Sequence, residues 1–193
     1  MTLLDGGELS NLLGASFAQP GDQLFRMERL PQYTVPGQTE VREQWLAWRA
    51  GSGPRPDTTG IETWAEKLAD EACRGMVRRR VRVLSEVLTA DEAQSCDIAL
   101  PVIARHQWTR VLHRGEHTSV DVLDHDYWVV QPAHGEVKVV RMVYSDGGEF
   151  EGAEIVPGDR IEPYLREMRL AWSIAEDFSA WWSRNRAQIL SVA

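Results

Sequence analysis

Three arginines at every second position are the residues of this chain whose type and spacing best fit a chemical role. Arg78, Arg80 and Arg82 lie on one side of a strand that the alternating pattern predicts within residues 77–87. Neighbours on the same side of a strand are about 6.6 Å apart, so the guanidinium groups could bind a polyanion or a phosphorylated ligand. The alternative is an edge or exposed strand whose arginines pair with acidic residues. The formal net charge of −8 favours this alternative, because it gives an approaching anion no long-range attraction.

Two acidic clusters could also carry chemistry. The first could supply two or three oxygen ligands to a divalent cation, and it consists of Asp121, Asp124, His125 and Asp126. The second surrounds a predicted hairpin, could hold a carboxylate pair for acid–base work, and consists of Asp146, Glu149, Glu151 and Glu154. Solvated turns are the favoured interpretation of both, since the first lacks the glycine and glutamate of an EF-hand and the second has no adjacent base or nucleophile.

A phosphodiesterase motif is approached but not formed. His134 and Lys138 precede Asp146, which superficially matches the His, Lys and Asp set of phospholipase D-type enzymes. That set needs its His and Lys two residues apart, whereas here they are four apart. The chain has no GxSxG, Walker or GxGxxG motif and no histidine pair at zinc-site spacing. The sequence therefore predicts no catalytic residue, no metal site and no cofactor.

Tryptophan is unusually frequent, with 8 residues in 193. Large aromatic rings serve core packing or interfaces, and core packing is the expectation for most of them. Trp181 and Trp182 are adjacent in a predicted helix, about 100° apart around its axis, so one of them is expected off the buried stripe. Together with the pair Trp45 and Trp48 on another predicted helix, they form the surface that we predict to contact a partner.

The elements that must position these residues begin with an antiparallel meander. Its predicted strands cover residues 118–123 or 126–131, then 136–145, then 150–156. The sequence Asp146-Gly147-Gly148 predicts a hairpin turn, and Gly152 indicates a bulge or a close approach of the backbone. Residues 25–30 alternate apolar with charged side chains before Pro31, which predicts an extended segment or an edge strand.

Spacings of three and four between apolar residues predict the helices. A short helix ends near Gly14, a second runs from Glu40 to Gly51, and a third runs from Thr58 or Thr59 to Gly75. A fourth covers residues 91–107 and is kinked or ended by Pro101. The last is predicted to continue unbroken from residue 159 to about residue 189.

The predicted fold is α+β. An antiparallel or mixed central sheet, which contains the arginine-rich strand and the meander, is covered by the kinked helix and a long C-terminal helix. The Gly- and Pro-rich residues 51–56 are the strongest linker signal. We therefore predict an N-terminal extended segment and helical arm at residues 1–56, covering one sheet edge, and an α+β core domain at residues 57–193.

The composition points to a soluble protein of a reducing, cytoplasmic compartment. Only Cys73 and Cys96 are present, which argues against a disulfide scaffold or a zinc site. No stretch approaches the length of a membrane span, so no membrane association is expected. The acidic net charge argues against direct binding of nucleic acid, because phosphate contacts need a positive surface.

Several blocks of the chain resemble an uncharacterised actinobacterial family of the Streptomyces type. Residues 25–36 resemble its opening FRLE-x-L-x-x-Y-x-V, and residues 80–88 resemble its RVRVVSEPL strand. Residues 115–116, 126–130 and 144–154 resemble its GE, DFWLFD and YDxxGxFxGAE blocks. Such proteins are classified as domains of unknown function and are often encoded beside helix-turn-helix regulators. The resemblance implies a regulatory or partner-binding role without assigning chemistry.

Two functions from different classes follow. The first is a non-enzymatic regulatory or protein-interaction module that acts with a DNA-binding transcriptional regulator, or with a second copy of itself as a homodimer. The alternative is a phosphodiesterase-like, nucleotide-binding or phosphate-binding enzyme that uses the arginine-lined strand face. A deep pocket that contains those guanidinium groups would favour the alternative.

Overall fold

A mixed sheet of seven strands forms the centre of the protein, whose computed structural model describes residues 3–34, 38–114, 116 and 124–192. The strands are β1 (Gln23–Glu28), β2 (Val77–Leu84), β3 (Trp108–His113), β4 (Tyr127–Gln131), β5 (Lys138–Tyr144), β6 (Phe150–Ile155) and β7 (Glu176–Asp177). Their order is β6-β5-β4-β1-β2-β3-β7. The neighbours β1, β2 and β3 run parallel, and the other pairs are antiparallel.

Helices pack on both faces of this sheet. They are α1 (Gly6–Ser16), α2 (Gln38–Arg49), α3 (Thr59–Cys73), α4 (Ala90–Gln94), α5 (Leu100–Ile103), α6 (Glu162–Ile174) and α7 (Phe178–Val192). The predicted α+β class, with a mixed sheet, an N-terminal helix and a long C-terminal helix, is confirmed.

β1 is a central strand, and the predicted place of residues 25–30 at a sheet edge is wrong. Arg26 in β1 lies opposite Arg80 of β2 on one side and Trp128 of β4 on the other. Alternating charged residues resemble a solvated strand face, but here the charges of β1 are matched by charges on neighbouring strands. The sheet therefore continues across the predicted boundary at residue 56, since β1 precedes that residue and both strand partners of β1 follow it.

The meander is confirmed as β4, β5 and β6; the alternative first strand at residues 118–123 lies outside the described residues. At the hairpin between β5 and β6, Gly148 has a φ of +79° and a Cβ there would lie 2.7 Å from the carbonyl oxygen of Gln32. Gly152 has a φ of +150°, and a Cβ there would lie 2.8 Å from the Cβ of Leu3. The pairing of β5 with β6 shifts beside Gly152, so both predicted roles of this glycine, a bulge and a close approach, are present.

The predicted kinked helix is continuous and contains a π-helical turn. α4 runs without a break into this turn, at Ser95–Ala99, and the turn runs into α5. Proline has no N–H to donate to the preceding turn, so a helix that contains one is irregular at that point. Pro101 lies just after the π-helical turn, in a helix that continues to Ile103.

The predicted unbroken helix of residues 159–189 is interrupted between α6 and α7. Ala175 is extended, with φ −64° and ψ 141°, and Glu176 then pairs with Val111 of β3. The side chain of Asp177 accepts a hydrogen bond from the N–H of Ala180 at 3.1 Å, which satisfies a free donor at the start of α7. The spacing of three and four between apolar residues continues across the interruption, because Ala171, Ala175, Phe178 and Trp182 are all buried.

The two sheet faces have different cores. On one face, α6 covers a cluster that includes Phe25, Met27, Val81 and Val129. The other face is covered by several elements: α1 packs on β4, β5 and β6, and α7 packs on β3 together with the π-helical segment. The covering of this second face leaves a cleft between α1 and α3.

Three of the four tryptophans predicted at a partner interface are buried inside the protein. Trp45 and Trp181 are fully buried, and Trp182 exposes 7% of its surface. Trp45 packs against Ala93 and Ile98 and donates from Nε1 to Asp97 at 3.1 Å, whereas Trp48 is half-buried. The buried rings stabilise the core, so they give no support to a partner interface at these positions.

Candidate functional site

The cleft between α1 and α3 is the candidate site, and we call it the basic cleft. It encloses about 500 Å³, a volume typical of small-molecule sites. Its floor is the polar side of β1, β2 and β4, and one wall is the stripe Trp64, Lys67 and Glu71 of α3. These three residues share a helix face because they are three and four positions apart.

Positive charge dominates the lining of the basic cleft. One acidic residue, Glu71, lines the described part of the cleft, and the five basic residues are Arg26, Lys67, Arg74, Arg78 and Arg80. Ion pairs with Glu71, with Glu28 beneath the cleft and with Asp70 beside it reduce this excess without cancelling it. The cleft is therefore a local positive region in a protein whose formal net charge is −8.

Two arginines share one carboxylate on the cleft floor. Arg26 Nε lies 2.7 Å from one oxygen of Glu28, and Arg80 Nη1 lies 3.5 Å from the other. The guanidinium carbon of Arg26 also lies 4.5 Å from the centre of the Trp128 ring, within the range of a cation–π interaction. These contacts fix the two guanidinium groups side by side.

The wall of the cleft combines charge with aromatic surface. Arg78 makes a bidentate pair with Glu71 and lies 4.7 Å from the ring centre of Phe17 and 5.3 Å from that of Trp64. Lys67 Nζ lies 5.0 Å from the centre of the same Trp64 ring. Both basic side chains of this wall therefore contact aromatic rings.

Three buried donors of the cleft residues make no hydrogen bond with the described residues, and they are Arg26 Nε, Arg80 Nε and Trp128 Nε1. Arg26 Nε still has its ion pair with Glu28, whereas Arg80 Nε and Trp128 Nε1 have no acceptor at all in the described part of the chain. A buried donor without an acceptor costs roughly 1–3 kcal/mol, so native structures rarely keep one without a reason. These atoms have almost no contact with solvent, so a ligand with acceptor oxygens in the cleft would satisfy them once the neighbouring side chains shift.

The pKa values of Glu28, Arg26 and Arg80 show which arginine charge is least compensated by nearby negative charge. Burial opposes ionisation of Glu28, but Arg80, Arg26 and Arg82 outweigh it and lower its pKa from 4.5 to about 2. Burial also lowers the pKa of Arg80, and the attraction of Glu28 does not restore it because Arg26 and Arg82 repel the charge. The pKa of Arg26 is raised, since Glu28 and other neighbours outweigh burial. Arg80 is thus the floor arginine with the least compensation.

A second cleft, which we call the aromatic cleft, adjoins the basic cleft. It encloses about 420 Å³, and both clefts are lined by Gly6, Leu9 and Arg26. Its rings are in edge contact: the ring centres of Tyr33 and Tyr144 are 5.6 Å apart, and those of Tyr144 and Phe150 are 6.0 Å apart. Arg26 therefore borders two chemically different compartments.

The arginine row of β2 is split between two environments. Arg78 and Arg80 line the basic cleft, whereas Arg82 donates to the hydroxyl of Tyr33 at 2.9 Å, which in turn donates to Asp126 at 2.6 Å. β2 lies between β1 and β3, so the edge-strand interpretation of this row is wrong. Pairing with acidic residues, which that interpretation also expected, does occur.

The other predicted clusters do not form a site in the described chain. Asp121 lies outside the described residues, Asp124 is exposed and bonds to His125 at 2.8 Å, and Asp126 is buried among the arginines. The hairpin residues Asp146, Glu149 and Glu151 are exposed, and Glu154 pairs with Arg141. No three His, Cys, Asp or Glu side chains in the described ranges converge as a metal ion requires.

The phosphodiesterase set is likewise dispersed. His134 is exposed, Lys138 Nζ donates to Ser16 at 3.0 Å, and Asp146 is exposed on the hairpin. Of the described residues that line the basic cleft, none is a histidine. The cleft thus offers fixed positive charge and hydrogen-bond donors, which is the chemistry of binding an anion.

Sequence reasoning missed the residues that β1, β4 and α3 contribute. Arg26 and Glu28 occupy alternate positions of β1, and this unlike-charged pair was a readable signal of a polar strand side. Trp64 and Lys67 carry no such signal, because a helical Trp beside a Lys is common on solvated faces. Trp128 reaches the site through the pairing of β4 with β1, which no local pattern reveals.

Comparison with known proteins identifies the family of the chain. None of the helices in residues 3–34, 38–114 and 124–192 has the length and apolarity that crossing a bilayer requires. No curated protein matches the chain, and no solved structure matches it. One family model does match, over residues 13–183, which include most of the basic cleft. The chain therefore belongs to the family described as "Domain of unknown function (DUF6879)".

Proposed function

We propose that this protein binds a small phosphate-bearing anion in the basic cleft and works as a ligand-responsive module. The observation that carries the proposal is the pair of buried, unpartnered donors, Arg80 Nε and Trp128 Nε1, in a cleft with a surplus of positive charge. A phosphoryl group supplies several acceptor oxygens and negative charge together, and arginine binds it with planar, bidentate geometry.

The same arrangement favours the binding of a small anion over the binding of a long polyanion such as a nucleic acid. Arg26, Arg78 and Arg80 lie inside the cleft, whereas Lys67 and Arg74 are exposed, and the protein is acidic overall. A small anion can enter such a cleft, whereas a duplex needs a broad positive surface. The proposal keeps the regulatory role that the family resemblance implies. In it the bound anion is the signal, and the partner that responds is a cytoplasmic DNA-binding regulator.

Calorimetric titration with inorganic phosphate and pyrophosphate at low ionic strength tests the proposal. We expect saturable binding that weakens as sodium chloride is added, because salt screens exposed charges. Arg80→Gln should weaken binding at least about tenfold, since a hydrogen bond to a charged group contributes roughly 1.5–3 kcal/mol. Arg160→Gln, a change of an exposed arginine outside the cleft, is the matched control and should leave the affinity unchanged.

Trp128→Phe provides a second variant that keeps an aromatic ring, although a smaller one, and removes the donor. Because Nε1 has no acceptor in the unliganded protein, its loss should not lower the free energy of unfolding by a hydrogen bond, but it should weaken anion binding about threefold to tenfold. If wild-type protein binds neither anion at millimolar concentration, or if both cleft variants bind as wild type does, the proposal is wrong.

A further inference from the structure

The aromatic cleft shows what the rest of the ligand could be. It adjoins the basic cleft at Arg26, so a ligand whose anionic group lies in the basic cleft can extend into it. The aromatic side chains that line it are Tyr33, Tyr144 and Phe150, and each keeps part of its surface exposed. The next part of the ligand therefore meets aromatic rings instead of a second row of cations.

The ring arrangement favours a flat, unsaturated group. Tyr144 contacts Tyr33 at an interplanar angle of 69° and Phe150 at 66°, so neither contact is a stacked pair. Aromatic rings that line a cleft and keep part of their surface exposed can bind nucleobases by stacking. Aliphatic groups would gain area burial but not the stacking contribution.

The polar groups of the aromatic cleft argue against a second anion. Glu28 lines it with an ionised carboxylate, which would repel a phosphate and accept hydrogen bonds from amino groups. Burial raises the pKa of Tyr144 to about 12 and raises that of Tyr33 as well, so both phenols stay neutral at physiological pH. The cleft thus combines the Tyr144 hydroxyl, the Glu28 carboxylate and, at its border, the Arg26 guanidinium with aromatic surface, a set that matches the edge and face of a base.

We propose that the ligand is a nucleoside phosphate, with its phosphate in the basic cleft and its base against Tyr144 and Phe150 in the aromatic cleft. This inference rests on the proposed anion-binding function and specifies the ligand class for that site. Arg26, which lines both clefts, would lie beside the junction of the phosphate and the nucleoside.

The test compares ligands that share the phosphate and differ in the base. Calorimetric titrations of wild-type protein would use adenosine, guanosine, cytidine and uridine 5′-monophosphates, ribose 5-phosphate and inorganic phosphate. We expect at least one nucleotide to bind about tenfold or more tightly than ribose 5-phosphate, in line with stacking of one base. Tyr144→Leu should abolish that advantage and leave the affinity for ribose 5-phosphate unchanged.

Two further variants complete the test. Phe150→Leu, a change at a residue with 37% of its surface exposed, should reduce the same advantage if Tyr144→Leu proves unstable by circular dichroism. Trp108→Leu replaces an exposed aromatic ring that lines neither cleft and should leave every affinity unchanged.

The outcomes separate this inference from the function on which it rests. If ribose 5-phosphate binds as tightly as all four nucleotides, or if the advantage survives both Tyr144→Leu and Phe150→Leu, the nucleotide assignment is wrong while anion binding stands. If no phosphate compound binds, the anion-binding function itself is overturned and the nucleotide assignment falls with it.

Discussion

Charges on the polar side of the sheet are compensated in part by other charges of the same side. Glu28 is the centre of this network, since it lies between Arg26 and Arg80 and lowers the cost of burying both. Buried ion pairs often add little net stability compared with an apolar core, but removing one member leaves the other uncompensated. The network therefore fixes the positions of the two arginines more than it strengthens the fold.

Glu28 should make the protein sensitive to acid. Its pKa falls from 4.5 to about 2 on folding, so the ionised carboxylate adds stability above about pH 4.5 that is lost as the pH falls towards 2. We expect wild type to lose roughly 3 kcal/mol of unfolding free energy from this group across that range. Urea unfolding of wild type and Glu28→Gln at several pH values measures the difference.

The comparison measures the contribution of Glu28, including its effect on a neighbouring acidic group. Burial raises the pKa of Asp126, which has the opposite dependence on pH, and the charge of Glu28 adds to that rise, so the difference between the two proteins also contains the effect of Glu28 on Asp126. At neutral pH, Glu28→Gln should be less stable than wild type, because Arg26 and Arg80 lose their shared anion. Parallel pH profiles for the two proteins would contradict the assigned role of Glu28.

At the scale of elements, two helices begin with the same capping box in different surroundings. In α1, Asp5 and Glu8 exchange hydrogen bonds of 2.8 and 2.9 Å at an exposed helix start. In α4, Thr89 and Glu92 form the same motif, but Glu92 is fully buried and its second oxygen also accepts from the N–H of Ser85 at 3.0 Å. Glu92 thus joins α4 to the segment that leaves β2.

Removing the two glutamates should have unequal effects. We expect Glu92→Ala to lower the free energy of unfolding by about 2–4 kcal/mol, because it removes a buried side chain and leaves the partly buried N–H groups of Ser85 and Thr89 without acceptors. Glu8→Ala should cost about 1 kcal/mol or less, since water can replace the lost acceptor. Urea denaturation of both variants checks this order, and equal losses would contradict it.

Local patterns predicted the elements better than their arrangement. The helices at α2 and α3 and the strands of the meander followed directly from periodicity, because the apolar residues of each element recur at the spacing of that element. The break at Ala175 was not predictable in this way, since residues on both sides of it keep helical spacing. β1 was misplaced because a charged strand side gives the same alternation whether it faces water or a buried network.

At the scale of the whole molecule, the sheet is continuous from β6 to β7 and its centre comes from the N-terminal part of the chain. β1 pairs with β2 through all six of its residues and with β4 through five of them. A protein that lacked residues 1–56 would therefore lose the strand that joins the meander to β2 and β3. It would also lose Arg26 and the α1 side of both clefts.

We expect the fragment of residues 57–193 not to fold. Its sheet would be split in two, with long unpaired edges on β2 and β4 where β1 belongs. Far-ultraviolet circular dichroism and urea titration should show a cooperative transition for the full chain and none for the fragment. A cooperative transition in the fragment would instead support the boundary predicted from the Gly- and Pro-rich linker.

The same continuity explains why the site was only partly visible in the sequence. Arg78 and Arg80 were identified because their spacing is local, whereas Arg26 and Trp128 join them through strand pairings between distant segments. β1 pairs in parallel with β2 on one side and antiparallel with β4 on the other. The periodicity of a strand does not reveal which strands lie beside it. Cleft residues contributed by α3 depend in addition on how that helix packs over β2.

The position of β1 also has a consequence for synthesis on the ribosome. One of the two strand partners of residues 23–28, Tyr127–Gln131, is translated long after them. The nascent chain therefore carries β1 with one side unpaired until that partner has left the ribosome, and contacts between such distant segments form slowly. A chaperone bound to the unpaired side of β1 during this interval would protect it from pairing with other chains.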